Sequence, residues 1–171
     1  MLSTLRNAWN IPDLRKRILF TTLMLIIFRA GSFILVPYIN RDAMAQFISQ
    51  GSLFGFFDLL SGGSFKNFSI FALGVVPYIN SSIIMSLLCI AIPKLEQMQK
   101  EGEDGRKKIA QITRYGTVVL GAIQAFGIGI WIKQSGAITG TGNTNFHLFI
   151  IILTLVAGTS FLMWLGEQIT D

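Results

Sequence analysis

Charged residues are scarce in this sequence. Asp, Glu, Lys and Arg make up 13% of its 171 residues, about half of the roughly 25% usual in a soluble domain, and residues 68–93 contain none. This distribution excludes an ordinary soluble domain, whose helices need charge on their solvent faces. A hydrophobic content of 51% also excludes a disordered tail, and a single cysteine, Cys89, excludes a disulfide framework within the chain.

Sequence patterns of catalysis are missing as well. The chain has no Walker loop, no Gly-x-Ser-x-Gly and no His-Glu-x-x-His. The one histidine, His147, has no cysteine or second histidine near it, which disfavours a metal site. A proton-coupled transporter would need titratable pairs inside its apolar segments, and none are present. We therefore expect a protein that is not an enzyme, with no catalytic residues, no cofactor and no metal.

What the sequence does contain is four long apolar runs, at 18–36, 68–92, 115–132 and 146–166. About 20 apolar residues, rising 1.5 Å each in a helix, are enough to cross a hydrocarbon core of roughly 30 Å. The first run is interrupted by one charge, Arg29. The runs predict an all-α membrane protein, a multi-pass helical bundle with four spans.

The basic residues predict how these spans are oriented. The N-terminal segment 1–17 and the connection 93–114 carry ten Lys and Arg, whereas the connections 37–67 and 133–145 carry three. Because Lys and Arg accumulate in cytoplasmic loops, we expect the N-terminus and residues 93–114 to be cytoplasmic. Four spans then return the final residues, 167–171, to the cytoplasm.

The outer connection contains an apolar stretch, Gly51 to Ser64, that is too short to span a membrane. Its apolar and glycine residues include Phe54, Phe56, Phe57, Leu59, Leu60, Gly62 and Gly63. Segments of this length are typical of re-entrant or interfacial helices. The residues alone leave two possibilities: a short helix buried against the spans, or an amphipathic helix on the outer leaflet.

The second run has polar residues at its middle, where they are costly in a membrane: Asn80, Ser81 and Ser82. Such residues face other helices or a cavity, and simple interhelical hydrogen bonding explains them equally well. Pro77 lies ten residues into the run, and we expect it to kink the helix. Val75 and Ile79 are four residues apart and share one apolar face.

Arg29 is the only charged residue inside a predicted span. It lies about seven residues, or roughly 10 Å, from the outer end of the first span. An arginine can extend its head group that far to the interface. The sequence therefore leaves open whether Arg29 is an interface anchor or belongs to a functional pair.

Several longer motifs resemble those of the SecY family, the central subunits of bacterial protein-conducting channels. Residues 71–85, Phe-Ala-Leu-Gly-Val-Val-Pro-Tyr-Ile-Asn-Ser-Ser-Ile-Ile-Met, are similar to the second transmembrane segment of that family, with Ser-Gly-Gly at 61–63 before it. Lys-Glu-Gly-Glu-Asp-Gly-Arg-Lys-Lys-Ile at 100–109 and Thr-Arg-Tyr-Gly-Thr at 113–117 follow in the family's order. Phe-Leu-Met-Trp-Leu-Gly-Glu-Gln-Ile-Thr at 161–170 completes the resemblance.

The resemblance implies roles for the residues singled out above. Residues 54–64 would be the plug, a short re-entrant helix that fills the outer funnel of the closed channel. Val75 and Ile79 would belong to the aliphatic pore ring. The second and third spans would form one side of the lateral gate, with Asn80, Ser81 and Ser82 near its polar cluster. Members of this family have ten spans in two inverted halves, so we expect the other spans, gate helices and main docking loops beyond Asp171.

The resemblance also implies partners and a location. These would be SecE, SecG, the SecA motor and the ribosome, together with signal sequences, nascent polypeptides and membrane lipids. Nucleic acid would be met only through the ribosome. The location would be the bacterial plasma membrane. From the residues alone, a membrane-embedded scaffold or interaction protein without a pore is the alternative.

Overall fold

A computed structural model describes residues 11–40, 42, 46, 55, 56, 58, 59, 61–140 and 142–170. Within these residues the chain forms five α-helices with described bounds, further helical positions at 42, 46, 55, 56, 58 and 59, and no strand beyond two isolated β-bridges. The helices are α1 (Pro12–Gly31), α2 (Val76–Ala91), α3 (Pro93–Lys100), α4 (Glu103–Gln134) and α5 (Thr144–Thr170). The predicted all-α class is confirmed.

Two of these helices, α4 and α5, are long and apolar enough to cross a membrane, with 32 and 27 residues. A third span results if α2 and α3, which are bent by 102° relative to each other, are taken together. These assignments cover only the part of the chain that the structure describes. Helix α1 is not among them, since it begins at Pro12 and so includes the charges Arg15, Lys16 and Arg17. Its apolar part, residues 18–31, ends five residues before the predicted end of the first span.

The second predicted span differs most from the structure. Only 76–91 of the expected 68–92 is helical, and 61–75 forms a series of turns. Phe68 and Gly74 have positive φ angles of 45° and 59°, which a helix cannot contain. Most residues of these turns are buried or partly buried. Serine hydroxyls accept hydrogen bonds from their backbone amides, Ser61 from Phe65 (3.0 Å) and Ser69 from Phe71 (3.2 Å). Non-helical backbone at membrane depth is tolerated when protein covers it in this way.

The core lies where this turn segment meets the C-terminal half of α4 and the N-terminal half of α5. Its buried members are Val36, Phe65, Phe68, Ala72, Leu73, Ala125, Ile132, Ala137, Ile151 and Leu155. The segment after α1 is joined to the turns by two backbone hydrogen bonds, from Val36 to the Phe68 carbonyl and from Ile70 to the Ile34 carbonyl. Helix α4 packs against both α2 and α5, while α1 packs against α5. Helix α4 therefore positions the exposed face of α2.

The bend between α2 and α3 follows from Pro93. Ile92, which precedes it, is extended (φ −111°, ψ 111°), as a residue before proline prefers. Helix α3 then leaves the bundle with the ion pair between Glu96 and Lys100 (2.6 Å) on its exposed surface. On the same side of the bundle, the Arg114 Nε donates to Glu167 at 2.7 Å and joins α4 to α5.

Candidate functional site

Val75 and Ile79 lie one helical turn apart at the start of α2. The Ile79 amide donates to the Val75 carbonyl at 3.0 Å, which places both side chains on one face. That face is exposed, with relative accessibilities of 43% and 47%, and it lies opposite the buried Pro77 and Ser81. Two neighbouring aliphatic side chains therefore project from the helix, and the described residues of this chain leave about half of each residue's surface uncovered.

Pro77 is not in the helix interior. It lies in the first turn of α2, where its missing N–H would have no intrahelical partner and its fixed φ suits the helix. The expectation of a kink at Pro77 therefore differs from the structure, in which the bend is at Ile92. Pro77 is buried and lies near Gly121 of α4.

The three polar residues that follow point in three directions instead of forming one cluster. Ser81 is buried and its hydroxyl donates to the Thr113 carbonyl of α4 at 2.8 Å. Asn80 lines a cavity on one side of α2, and Ser82 lines a separate, more polar one. Successive residues of a helix are 100° apart, so these three consecutive side chains point to different sides of α2.

The cavity beside Asn80 is the main concave feature of this face, with a volume of about 460 Å³. It lies between the turn segment, α2 and α4, and its surface is mostly apolar. Its lining residues are Phe65, Ala72, Leu73, Val76, Asn80, Gln124, Gly127, Ile128 and Trp131. Gln124 was missed from the sequence, although a lone amide within the uncharged third run was a visible signal. Asn80 and Gln124 place two amide groups in a cavity that is otherwise apolar.

The polar cavity on the other side is lined by Tyr78, Ser82, Gln99, Arg106, Ile109, Ala110, Thr113 and Glu167. It therefore joins α2 to the charged ends of α4 and α5. Among the described residues, no three His, Cys, Asp or Glu side chains lie close enough together to bind a metal ion.

The predicted plug segment is described only in part, since Phe54, Phe57 and Leu60 lie outside the described residues. Positions 55, 56, 58 and 59 are helical, and Phe56 and Leu59 are exposed. Gly62 and Gly63 have φ angles of +63° and +84°. The Gly63 amide donates to the Asp58 carbonyl (2.9 Å) and the Gly62 amide to the Leu59 carbonyl (3.2 Å). These two bonds form a Schellman motif, the usual glycine-dependent end of a helix.

Replacing Ser81 with alanine should destabilise the pairing of α2 with α4 modestly. The Thr113 carbonyl also accepts from the Thr117 hydroxyl at 2.8 Å, so it keeps a partner and the loss should be about 0.5–1 kcal/mol. The matched change, Ser82→Ala, removes a half-buried hydroxyl from a polar cavity and should have a smaller effect. Thermal unfolding of both variants in detergent checks this, and equal shifts would contradict the structural separation of the two serines.

Comparison with known proteins places these features in a family. The sequence profile of SecY matches residues 69–171, which is more than half of the chain. The protein translocase subunit SecY of Halalkalibacterium halodurans is 50% identical over 173 residues, covering 99% of this chain and 40% of the relative. The subunits of Bacillus licheniformis (49% over 176 residues) and Bacillus subtilis (47% over 181 residues) each cover 100% of this chain and 40% of their own length. The chain thus spans about two fifths of the relatives that it matches, and it belongs to the SecY family.

Proposed function

We propose that this chain forms part of a channel subunit that conducts secretory proteins across the plasma membrane and releases membrane segments sideways into lipid. The observation that carries the proposal is the exposed aliphatic pair of Val75 and Ile79 in a chain of the SecY family. Both residues lie at the start of α2, beside the apolar cavity. We assign them to a constriction whose other members come from outside this chain.

An aliphatic constriction suits a substrate of varying sequence. Apolar side chains make no directional hydrogen bonds, so they fit around any polypeptide without selecting its side chains. A hydrophobic constriction also resists water and ions when it is empty. Val75 and Ile79 would therefore close around the moving chain and prevent leakage without specific recognition.

The neighbouring features fit into the same proposal. Residues 54–64 would be the plug that fills the outer side of the resting channel. Helices α2 and α4 would be one side of the lateral gate. The cavity between them, apolar apart from Asn80 and Gln124, has the chemistry to receive an apolar signal sequence. The polar gate cluster would then consist of Asn80 with Gln124, because Ser81 is already committed to helix packing.

In this proposal the subunit is passive and has no enzymatic activity. Energy and targeting come from partners, namely the SecA motor and the ribosome, while SecE and SecG complete the membrane complex. The basic residues at the start of α1 and in 93–114 favour a cytoplasmic N-terminus. We propose the bacterial plasma membrane as the location, as expected for a translocase subunit.

Protein translocation into vesicles tests the proposal. A complete subunit that contains this chain is reconstituted with SecE in proteoliposomes, and SecA, ATP and a radiolabelled secretory precursor are added. The precursor should become protected from protease, and protection should require both ATP and an intact signal sequence. Binding of the precursor without protection would indicate a scaffold that has no pore.

A further inference from the structure

Arg29 has a specific partner in the structure. It is the only charged residue in the apolar part of α1, residues 18–31. Its Nη1 donates a hydrogen bond to the Gly62 carbonyl at 2.9 Å. Its guanidinium carbon also lies 5.4 Å from the centre of the Phe33 ring, within the range of a cation–π contact. An arginine that only anchors a helix at the membrane interface does not require a hydrogen-bond partner 33 residues away along the chain.

The acceptor of this hydrogen bond, Gly62, lies near the end of the predicted plug segment. Gly62 lies in the Schellman motif that follows the helical positions 55, 56, 58 and 59, and its amide is used inside that motif. The Gly62 carbonyl takes no part in the two bonds of the motif, and it accepts the hydrogen bond from Arg29. A hydrogen bond in which the donor is charged is stronger than one between neutral groups. Arg29 therefore complements the end of the plug segment both as a donor and as a charge.

A second contact fixes the chain two residues later. The Ser64 hydroxyl donates to the Ser32 hydroxyl at 2.9 Å, and Ser64 is completely buried. Ser32 in turn donates to the Phe28 carbonyl at 3.0 Å, so the start of the turn segment is bound to the end of α1. Gly62 and Gly63 lie between this buried point and the helical turn, in conformations that only glycine adopts readily. The pair thus has the position of a hinge, and Arg29 contacts the hinge itself.

We infer that Arg29 is a positioning residue, which fixes the hinge at Gly62 and so keeps the plug over the closed channel. The inference rests on the proposed function, because it needs residues 54–64 to act as a plug. Opening then requires the hydrogen bond between Arg29 and Gly62 to break, while the buried contact between Ser32 and Ser64 stays. Arg29 is exposed in this chain, so the bond can be exchanged for water or for another acceptor when the plug moves.

Ion conductance of the resting channel tests this role. In a complete subunit that contains this chain, Arg29→Met should raise conductance per channel, up to but not beyond the level reached by deleting 54–64. Arg29→Lys should give an intermediate value, because it keeps the charge but loses the planar group over Phe33. Arg17→Met is the matched control, since it removes a cation from the same helix about 18 Å away and should leave conductance unchanged.

The outcomes separate the inference from the proposed function. If the deletion raises conductance and Arg29→Met does not, the inference is overturned and the plug assignment stands. If neither change raises conductance, the plug assignment fails as well. If Arg29→Lys conducted no more than the unsubstituted channel, the charge alone would explain the role of Arg29, and the inference would also be overturned.

A second measurement tests the inference if the Arg29→Met protein does not insert into the membrane. Hydrogen exchange of Arg29→Lys should be faster than that of the unsubstituted protein at the amides of Gly62 and Gly63. It should be unchanged at Phe71, whose amide is bonded to the Ser69 hydroxyl in the core. Equal exchange at Gly62 and Gly63 in both proteins would overturn the inference.

Discussion

Replacing Ile79 with glycine is expected to raise the ion conductance of the resting channel severalfold. Ile79 is 47% exposed on α2, so about half of this residue's surface is not used in the packing of the chain itself. If its role is to narrow a hydrophobic constriction, its removal leaves a wider opening that water and ions can fill. The measurement is the current through planar bilayers that contain the complete subunit, with no precursor or ribosome present.

The matched control for this prediction is Ile83→Gly. Ile83 lies one turn further along the same face and is 54% exposed, so the substitution costs the helix the same propensity, about 1 kcal/mol. It is also some 6 Å from Ile79 along the helix axis. If both variants leak equally, the cause is a weakened helix and Ile79 has no special place in a constriction.

The second large effect is expected at Gly158, where α5 meets the turn segment. A Cβ placed on Gly158 would overlap the carbonyl group of Ile70, which is backbone and has no rotamer to change. Gly158→Ala should therefore push α5 away from the turns and destabilise the protein by about 1–3 kcal/mol, as overpacking of a core does. This substitution should lower the thermal midpoint in detergent and reduce the fraction of monodisperse protein.

Gly166→Ala provides the comparison on the same helix. A Cβ at Gly166 meets no atom within 4 Å, so alanine should be neutral or stabilising by up to about 1 kcal/mol through helix propensity. An unchanged midpoint for Gly158→Ala would contradict the close contact between α5 and Ile70. It would also weaken the account of how the turn segment is covered at membrane depth.

Hydropathy predicted the parts of the fold that depend on composition alone. Helices α4 and α5 contain the third and fourth apolar runs, because a long uncharged run in lipid has few options other than a helix. Helix α4 begins at Glu103, twelve residues before the third run, so much of the predicted connection 93–114 is helical. The same reasoning misplaced the start of α2. The hydropathy of an apolar run does not show whether the run is helical or folded as turns. Residues 61–75 can form turns because serine hydroxyls and the segment after α1 make hydrogen bonds to their backbone.

A local signal for this boundary was present in the sequence. Gly74, with φ +59°, precedes Pro77, and a glycine followed closely by a proline is typical of a turn that leads into the first turn of a helix. The orientation of Ser81 and Asn80 then follows from where the helix begins and which neighbour lies on each side. The partner of Arg29 could not be predicted, because contact with Gly62 depends on how the turn segment folds back against α1.

The assignment of Val75 and Ile79 to a polypeptide-conducting constriction is the central claim, and site-specific crosslinking tests it most directly. A complete subunit is prepared with every native cysteine replaced, including the buried Cys89, and with a single cysteine at 75, 79 or 153. Leu153 is an exposed apolar residue of α5 and serves as the control. A secretory chain with one cysteine is arrested during translocation, and disulfide formation is measured. The account predicts bonds to positions 75 and 79 but not to 153. Absence of bonds at 75 and 79, or equal yields at all three positions, would contradict it.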